Sequence, residues 1–277
     1  MRDILVMAHL TLFEALRRRI LVAALICGLA FLVLFGIGMH FIAAQAGSQT
    51  GSEVERRLVL NLITLAGLYA VNFLTVMSAV LLPVDTLAGE IASGVTQTVA
   101  SKPIRRSSIV LGKWLAYVVV VNGYLFLLAG GVVLISRLVS GFMLPRFELG
   151  LPLMMLEAVV LVSLSIAGGT RLSTVTNGVV AFGLYGLAFI GGWVEQIGAL
   201  AHNDAARRVG VVASLIMPSE SMWQLAASQM QPALMREMHA TPFSPASVPS
   251  PMMVWWAAGY AAVLVLIALR SFGKRGL

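Results

Sequence analysis

A chain of 277 residues with 59% hydrophobic and only 11% charged side chains cannot cover itself with a water-facing surface, since soluble domains carry about a quarter charged residues. A soluble globular domain is therefore excluded, and the clustering of the apolar residues into blocks points to one all-α, polytopic membrane domain. The net charge of +7 would suggest nucleic acid in a soluble protein; here it serves orientation in the bilayer, and no nucleic-acid partner is expected.

In chain order, the first element is an amphipathic stretch over residues 1–19. Ile4, Leu5, Ala8, Leu12, Ala15 and Leu16 share one side of a helical wheel, with Asp3, Glu14, Arg17 and Arg18 on the other. That pattern predicts a helix lying in the membrane interface, its basic end near anionic headgroups. The basic run Arg17–Arg19 before an apolar block resembles the start of a signal peptide, but the block is too long for one and reads as a retained helix. The single cysteine, Cys27, lies in this block, so no intrachain disulfide can form and a thiolate metal cluster is not expected.

Six blocks within residues 20–277 have the length needed to cross a hydrocarbon core. They are Ile20–Phe41, Leu58–Leu82, Leu115–Ile135, Leu151–Gly168, Val175–Val194 and Met252–Leu269, the fourth being shortest and carrying Glu157. With the N-terminus inside, the inner side collects twelve Lys and Arg against seven outside, while four acids fall inside and eight outside. The positive-inside rule thus predicts cytoplasmic termini and a cell inner (cytoplasmic) membrane location. Glu157, ionisable and deep in its span, is expected to face an interior or a wet cavity. An ion pair with Arg137 or Arg146 would make it structural; otherwise it would belong to a translocation path. Asn72 and Asn122 are expected to bond between helices, and the pairs Gly168–Gly169 and Gly191–Gly192 to allow close helix contact.

Two connections are long enough to matter. The outer segment 199–251 holds six prolines, and Ser219-Glu220-Ser221 reads as a helix start; short interfacial helices and a proline-rich connector are expected there. Its methionines (Met217, Met222, Met230, Met235, Met238), with His202 and His239, raise cuprous copper as an idea. Their irregular spacing suits ordinary filler on amphipathic helices instead. The inner loop 84–114 has a helix-forming stretch from Asp85 to Ala100, a break at Pro103, and a second stretch, Ser107–Trp114, that can start the helix returning to the membrane. The product is a helix–break–helix elbow, basic at its bend. Gly112-Lys113 is followed by Trp114 rather than Ser or Thr, and the loop lacks the phosphate-cradling motif of an ATPase.

The order Glu90, Gly94, Ser101, Pro103, Arg106, Gly112, Lys113 resembles the inner loop of type 2 ABC transporter permeases. Departures fall at Val95, where the family usually has threonine, at Val99 and Ala100 in place of leucines, and at Arg105 in place of a small residue. The resemblance implies that these seven residues form a cytoplasmic coupling helix and elbow that meet a separate ABC ATPase subunit. It further implies that the chain has no catalytic site, cofactor or metal of its own, ATP and Mg being bound by the ATPase. A single six-span chain would be half of the membrane portion, completed as a homodimer or by a similar permease, and exporter-type transport is expected. Rival readings are an ion-coupled secondary transporter, which should show repeats and broken spans, and a non-transporting scaffold or assembly factor, including a permease of copper-enzyme maturation.

Overall fold

The computed structural model describes residues 2–48, 52–89, 105–232, 235 and 247–274. These form nine helices: α1 (Arg2–Arg17), α2 (Arg19–Ser48), α3 (Glu53–Leu81), α4 (Arg106–Ser140), α5 (Phe147–Gly169), α6 (Thr174–Leu200), α7 (Asp204–Ile216), α8 (Ser219–Gln229) and α9 (Met252–Gly273). Among the described residues there is no strand. Six helices, α2 to α6 and α9, are long and apolar enough to cross a membrane, one for each expected block. Helices are the natural outcome, because an isolated segment in hydrocarbon must satisfy its backbone polar groups internally.

Six antiparallel crossings put α1, the Leu82–Gly89 stretch, the start of α4, the turn at 170–173 and the end of α9 at one end of the bundle, called here the base. The end of α2, the start of α3, the 141–146 turn and the α7–α8 segment lie at the opposite end, the crown. Ser52 and Ser173 start α3 and α6 by accepting from the backbone N–H groups of Glu55 and Thr176, which supplies partners to otherwise orphaned donors. α4 ends on Gly141 at φ 70°, the left-handed position a helix terminus favours and glycine adopts without steric cost.

Packing is uneven. α5 and α3 form the centre, while α2 and α9 lie outside them with much of their apolar surface facing outward. The buried apolar residues divide into two clusters. One joins Val76–Val80 of α3, Leu82 just after it, Ile109–Val121 of α4 and Ala158–Ala167 of α5 toward the base, and continues to Met217 and Met222. The other, toward the crown, joins Leu65–Val71, Tyr124–Val132 and Met154 of the same helices to Trp223, Ala226, Ala227 and Met230. The residues at the division are polar: Asn72 on α3, Asn122 on α4 and Glu157 on α5.

The crown departs from expectation. α8 begins at Ser219 as its sequence implies, but every described residue from Ser219 to Ser228 is buried, so it enters the bundle rather than resting at an interface. Small residues on all its sides, Ser221, Ala226, Ala227 and Ser228, allow close approach of neighbouring backbones. α7 packs along α6 through glycines: a side chain at Gly191 would collide with Ala213, one at Gly198 with Ala206, and one at Gly210 with Glu195. The Gly191–Gly192 pair thus permits close contact, as read from sequence.

Candidate functional site

Two places concentrate polar chemistry: the base, where the elbow is rooted, and the layer dividing the core. Of the residues expected to form the elbow, Glu90, Gly94, Ser101 and Pro103 lie outside the described residues, as does Asp85–Ala100 beyond Gly89. Both of its roots are described, and each is fastened to the bundle.

The descending root runs from Leu82 to Gly89. Asn177 of α6 donates from Nδ2 to the Val84 carbonyl (3.3 Å) and to that of Ser165 on α5 (2.8 Å). Thr174, at the start of α6, donates to Asp85 Oδ1 (2.6 Å). Thr86 donates to the Tyr117 hydroxyl of α4 (2.6 Å). Gly168 belongs to this fastening, since a side chain there would collide with the Asn177 amide. Below it, Ser165 donates to the Val80 carbonyl (3.1 Å).

The ascending root is the start of α4. Arg106 is its first residue, preceded by an extended Arg105. The helix extends nine residues further toward the base than the expected span start at Leu115, through the Ser107–Trp114 stretch that the sequence allowed to be helical. Gly112 is where α1 crosses α4: a Cβ there would lie 2.5 Å from Met7 Cβ and 3.0 Å from both the Ala8 nitrogen and the Ile4 oxygen. Ala8, Thr11 and Ala15 supply the buried line of α1, whereas Leu5 and Leu16, from the same side of the wheel, stay exposed. Lys113 is buried, and Trp114 Nε1 donates to Ser163 Oγ on α5 (2.9 Å). α1 is joined to the bundle near Arg18, which pairs with Glu14 (2.6 Å) and lies within electrostatic reach of Asp85 and Tyr117.

In the dividing layer, Glu157 is 1% exposed. It is ten residues from the start of α5, about 15 Å along the axis. The expected pairing with Arg137 or Arg146 is not made. Among the described residues the ion pairs are Glu14–Arg18, Glu53–Arg56 and Glu53–Arg57, and neither oxygen of Glu157 has a hydrogen-bond partner. Asn72 stands beside it outside good hydrogen-bond geometry, and the charged group acting on it is another acid, Glu220 of α8. Arg146 is occupied otherwise, at φ 46° immediately before α5, where its backbone carbonyl accepts from Leu149 and Gly150.

Glu220 is a functional candidate that sequence reading passed over as part of a helix start. It is buried and presses on Gly192, where an added Cβ would lie 2.5 Å from Glu220 Cγ and 2.8 Å from Gln224 Nε2. Asn122 bonds within its own helix, to the Val118 carbonyl (2.9 Å), so the expected interhelical bond is absent there. The amides that do bridge elements are Asn177 at the base, Asn61, which donates to the Met230 carbonyl (3.1 Å), and Gln196, which bonds Gln224 and Ser247. The methionines do not converge: Met217 and Met222 belong to one core cluster and Met230 to the other. No group of three or more His, Cys, Asp or Glu with metal-holding geometry exists among the described residues. Met238 and His239 lie outside the described residues.

A six-span helical bundle with a fastened elbow root at one end and a buried α8 at the other defines a polytopic membrane protein. The family described as ABC-2 family transporter protein matches residues 8–277, nearly the whole chain, and the protein belongs to that family. No curated protein matches the chain.

Proposed function

We propose that the chain is the permease subunit of an ATP-driven exporter, working as a homodimer or beside a similar permease and driven by a separate ABC ATPase that holds the ATP and Mg. In this reading the termini and the 84–114 elbow face the cytoplasm across the inner membrane, and α1 lies in the cytoplasmic interface. Glu90, Gly94, Ser101, Pro103 and Arg106 meet the ATPase, while Gly112 and Lys113 set how α4 seats on α1.

The observation that supports this best is the double fastening of the elbow's roots. The descending root is held by Asn177 and Thr174 from α6 and by Tyr117 from α4; the ascending root is held by α1 and, through Trp114, by α5. A push delivered between them therefore reaches α1, α3, α4, α5 and α6 together. ATP binding would close the ATPase pair, press the elbow and shift the protomers between two packings.

The test is purification of the chain with its ATPase and measurement of ATP hydrolysis in bilayers. Glu90→Ala and Arg106→Ala are expected to lower permease-dependent hydrolysis about tenfold, the loss of roughly 1.4 kcal/mol of coupling. An ATPase that never associates, or one indifferent to both changes, would leave the scaffold reading in place.

A further inference from the structure

We infer that Glu157 and Glu220 form a proton-binding site that fastens α8 to the centre of the bundle. Their placement agrees from two directions. Glu157 lies about 15 Å along α5 from its crown end, and Gly192, against which Glu220 packs, lies eight residues from the crown end of α6, about 12 Å. Both acids thus lie well below the crown ends of α5 and α6.

The seating of α8 brings the two acids together: its end lies on α5, where a Cβ at Gly150 would meet Met230, and its start lies on α6, where one at Gly192 would meet Glu220 and Gln224, so Glu220 sits below the crown alongside the helix that carries Glu157. Tyr69 and Asn72 of α3, Tyr185 of α6 and Gln224 of α8 are the polar groups within electrostatic reach of the pair. Among the described residues none of the ion pairs involves either acid. Two carboxylates sharing a buried site without a cation cannot both remain ionised, since desolvation and mutual repulsion act in the same direction. Both oxygens of Glu157 are buried and unpartnered, so the compensating positive charge has to be one that this packing accepts. A proton is the cation that needs no coordination shell. Tyr69, tilted against Trp223 at 5.3 Å between ring centroids, and the Asn72 amide offer polar surroundings for a neutral acid pair.

α8 makes this site conditional. Glu220 is held only while α8 is seated, through the Asn61–Met230 bond and the Gln196–Gln224 contact. Were α8 to withdraw, both carboxyls would meet water; the acid O–H bond would break, its proton would pass to a water molecule, and the bonding pair would stay on the carboxylate. Seating α8 and binding the proton are thus one equilibrium. This rests on packing inside one chain and holds whether or not an ATPase drives it.

The test uses the purified full chain in lipid nanodiscs, without any ATPase. Infrared difference spectra in light and heavy water should show a protonated carboxylic-acid band at neutral pH, weakened in Glu157→Gln and in Glu220→Gln and lost in the double Gln variant. Thermal stability should fall as pH rises into the alkaline range for the natural chain, and this fall should vanish in the double Gln variant, which mimics the neutral pair and should fold. Absence of the band, or its survival at full strength in both single variants, overturns the site. So does stabilisation by sodium or potassium ions at fixed ionic strength that the double variant abolishes, because the pair would then be an ionised metal-cation site.

Discussion

α2 and α5 answer the same demand, crossing a bilayer, in opposite ways. α2 is the most apolar of the six spans, yet only 11% of its apolar window is buried; α5 carries Glu157, Pro152, two serines and three glycines, yet 61% of its window is buried. In water the more apolar helix would be the core. In lipid there is no hydrophobic drive between helices, so contact is made by residues that pack closely or bond across, and Leu-rich surface is left for the acyl chains. Mean hydropathy alone does not mark the centre, since α9 is as apolar on average as α5 yet only 17% of its window is buried; the residues that pack closely or bond across do.

The sharpest way to break this contrast is paired truncation. Leu161→Ala in α5, at a fully buried position, should cost about 2 kcal/mol or more through the cavity it leaves. Leu34→Ala in α2, 68% exposed, should cost almost nothing, and thermal unfolding in one fixed detergent would compare the two. Equal losses would mean that burial within the chain does not set stability here.

A glycine pair gives the next effect. Gly192→Val would drive a side chain into Glu220 and Gln224 and should destabilise by about 1–3 kcal/mol, the range of overpacking, with α8 becoming accessible to a protease. Gly38→Val in α2 meets nothing within 4 Å and should leave both readouts unchanged.

Smaller still is the contrast between amides. Asn177→Ala removes bonds to the Val84 and Ser165 carbonyls and should cost about 1–2 kcal/mol, loosening the elbow root. Asn122→Ala removes a bond within one turn of its own helix and should be nearly silent in unfolding and in ATPase stimulation alike.

These contrasts show what was legible in the residues. The six spans were, because hydropathy and length are local properties; so was the helical start Ser107–Trp114, since nothing within that stretch breaks a helix. The function of Glu157 was legible only as a depth. Its partner comes from sixty-three residues away, and the arginines favoured on sequence grounds, Arg137 and Arg146, sit at the crown end of the bundle. Glu220 lay inside a pattern that fits a capped interfacial helix equally well; the distinguishing signal was the run of Ser and Ala on every side of α8, which suits a helix surrounded by protein. Asn177 was passed over because a polar residue near a span end is ordinary, and its reach to the Val84 carbonyl depends on the turn at 170–173. The seven-residue elbow motif carried the family, and the match over 8–277 agrees with it.

The central claim is that the elbow's descending root and the start of α6 move as one body when the ATPase acts. Cysteines placed at Asp85 and Thr174, whose side chains are hydrogen-bonded at 2.6 Å, in a chain with Cys27→Ser, can be joined by a short bifunctional thiol reagent. The cross-linked permease should stimulate its ATPase as well as the same variant left uncoupled by the reagent. Stimulation that stalls on cross-linking would show that root and helix must part during the cycle, and would contradict the account.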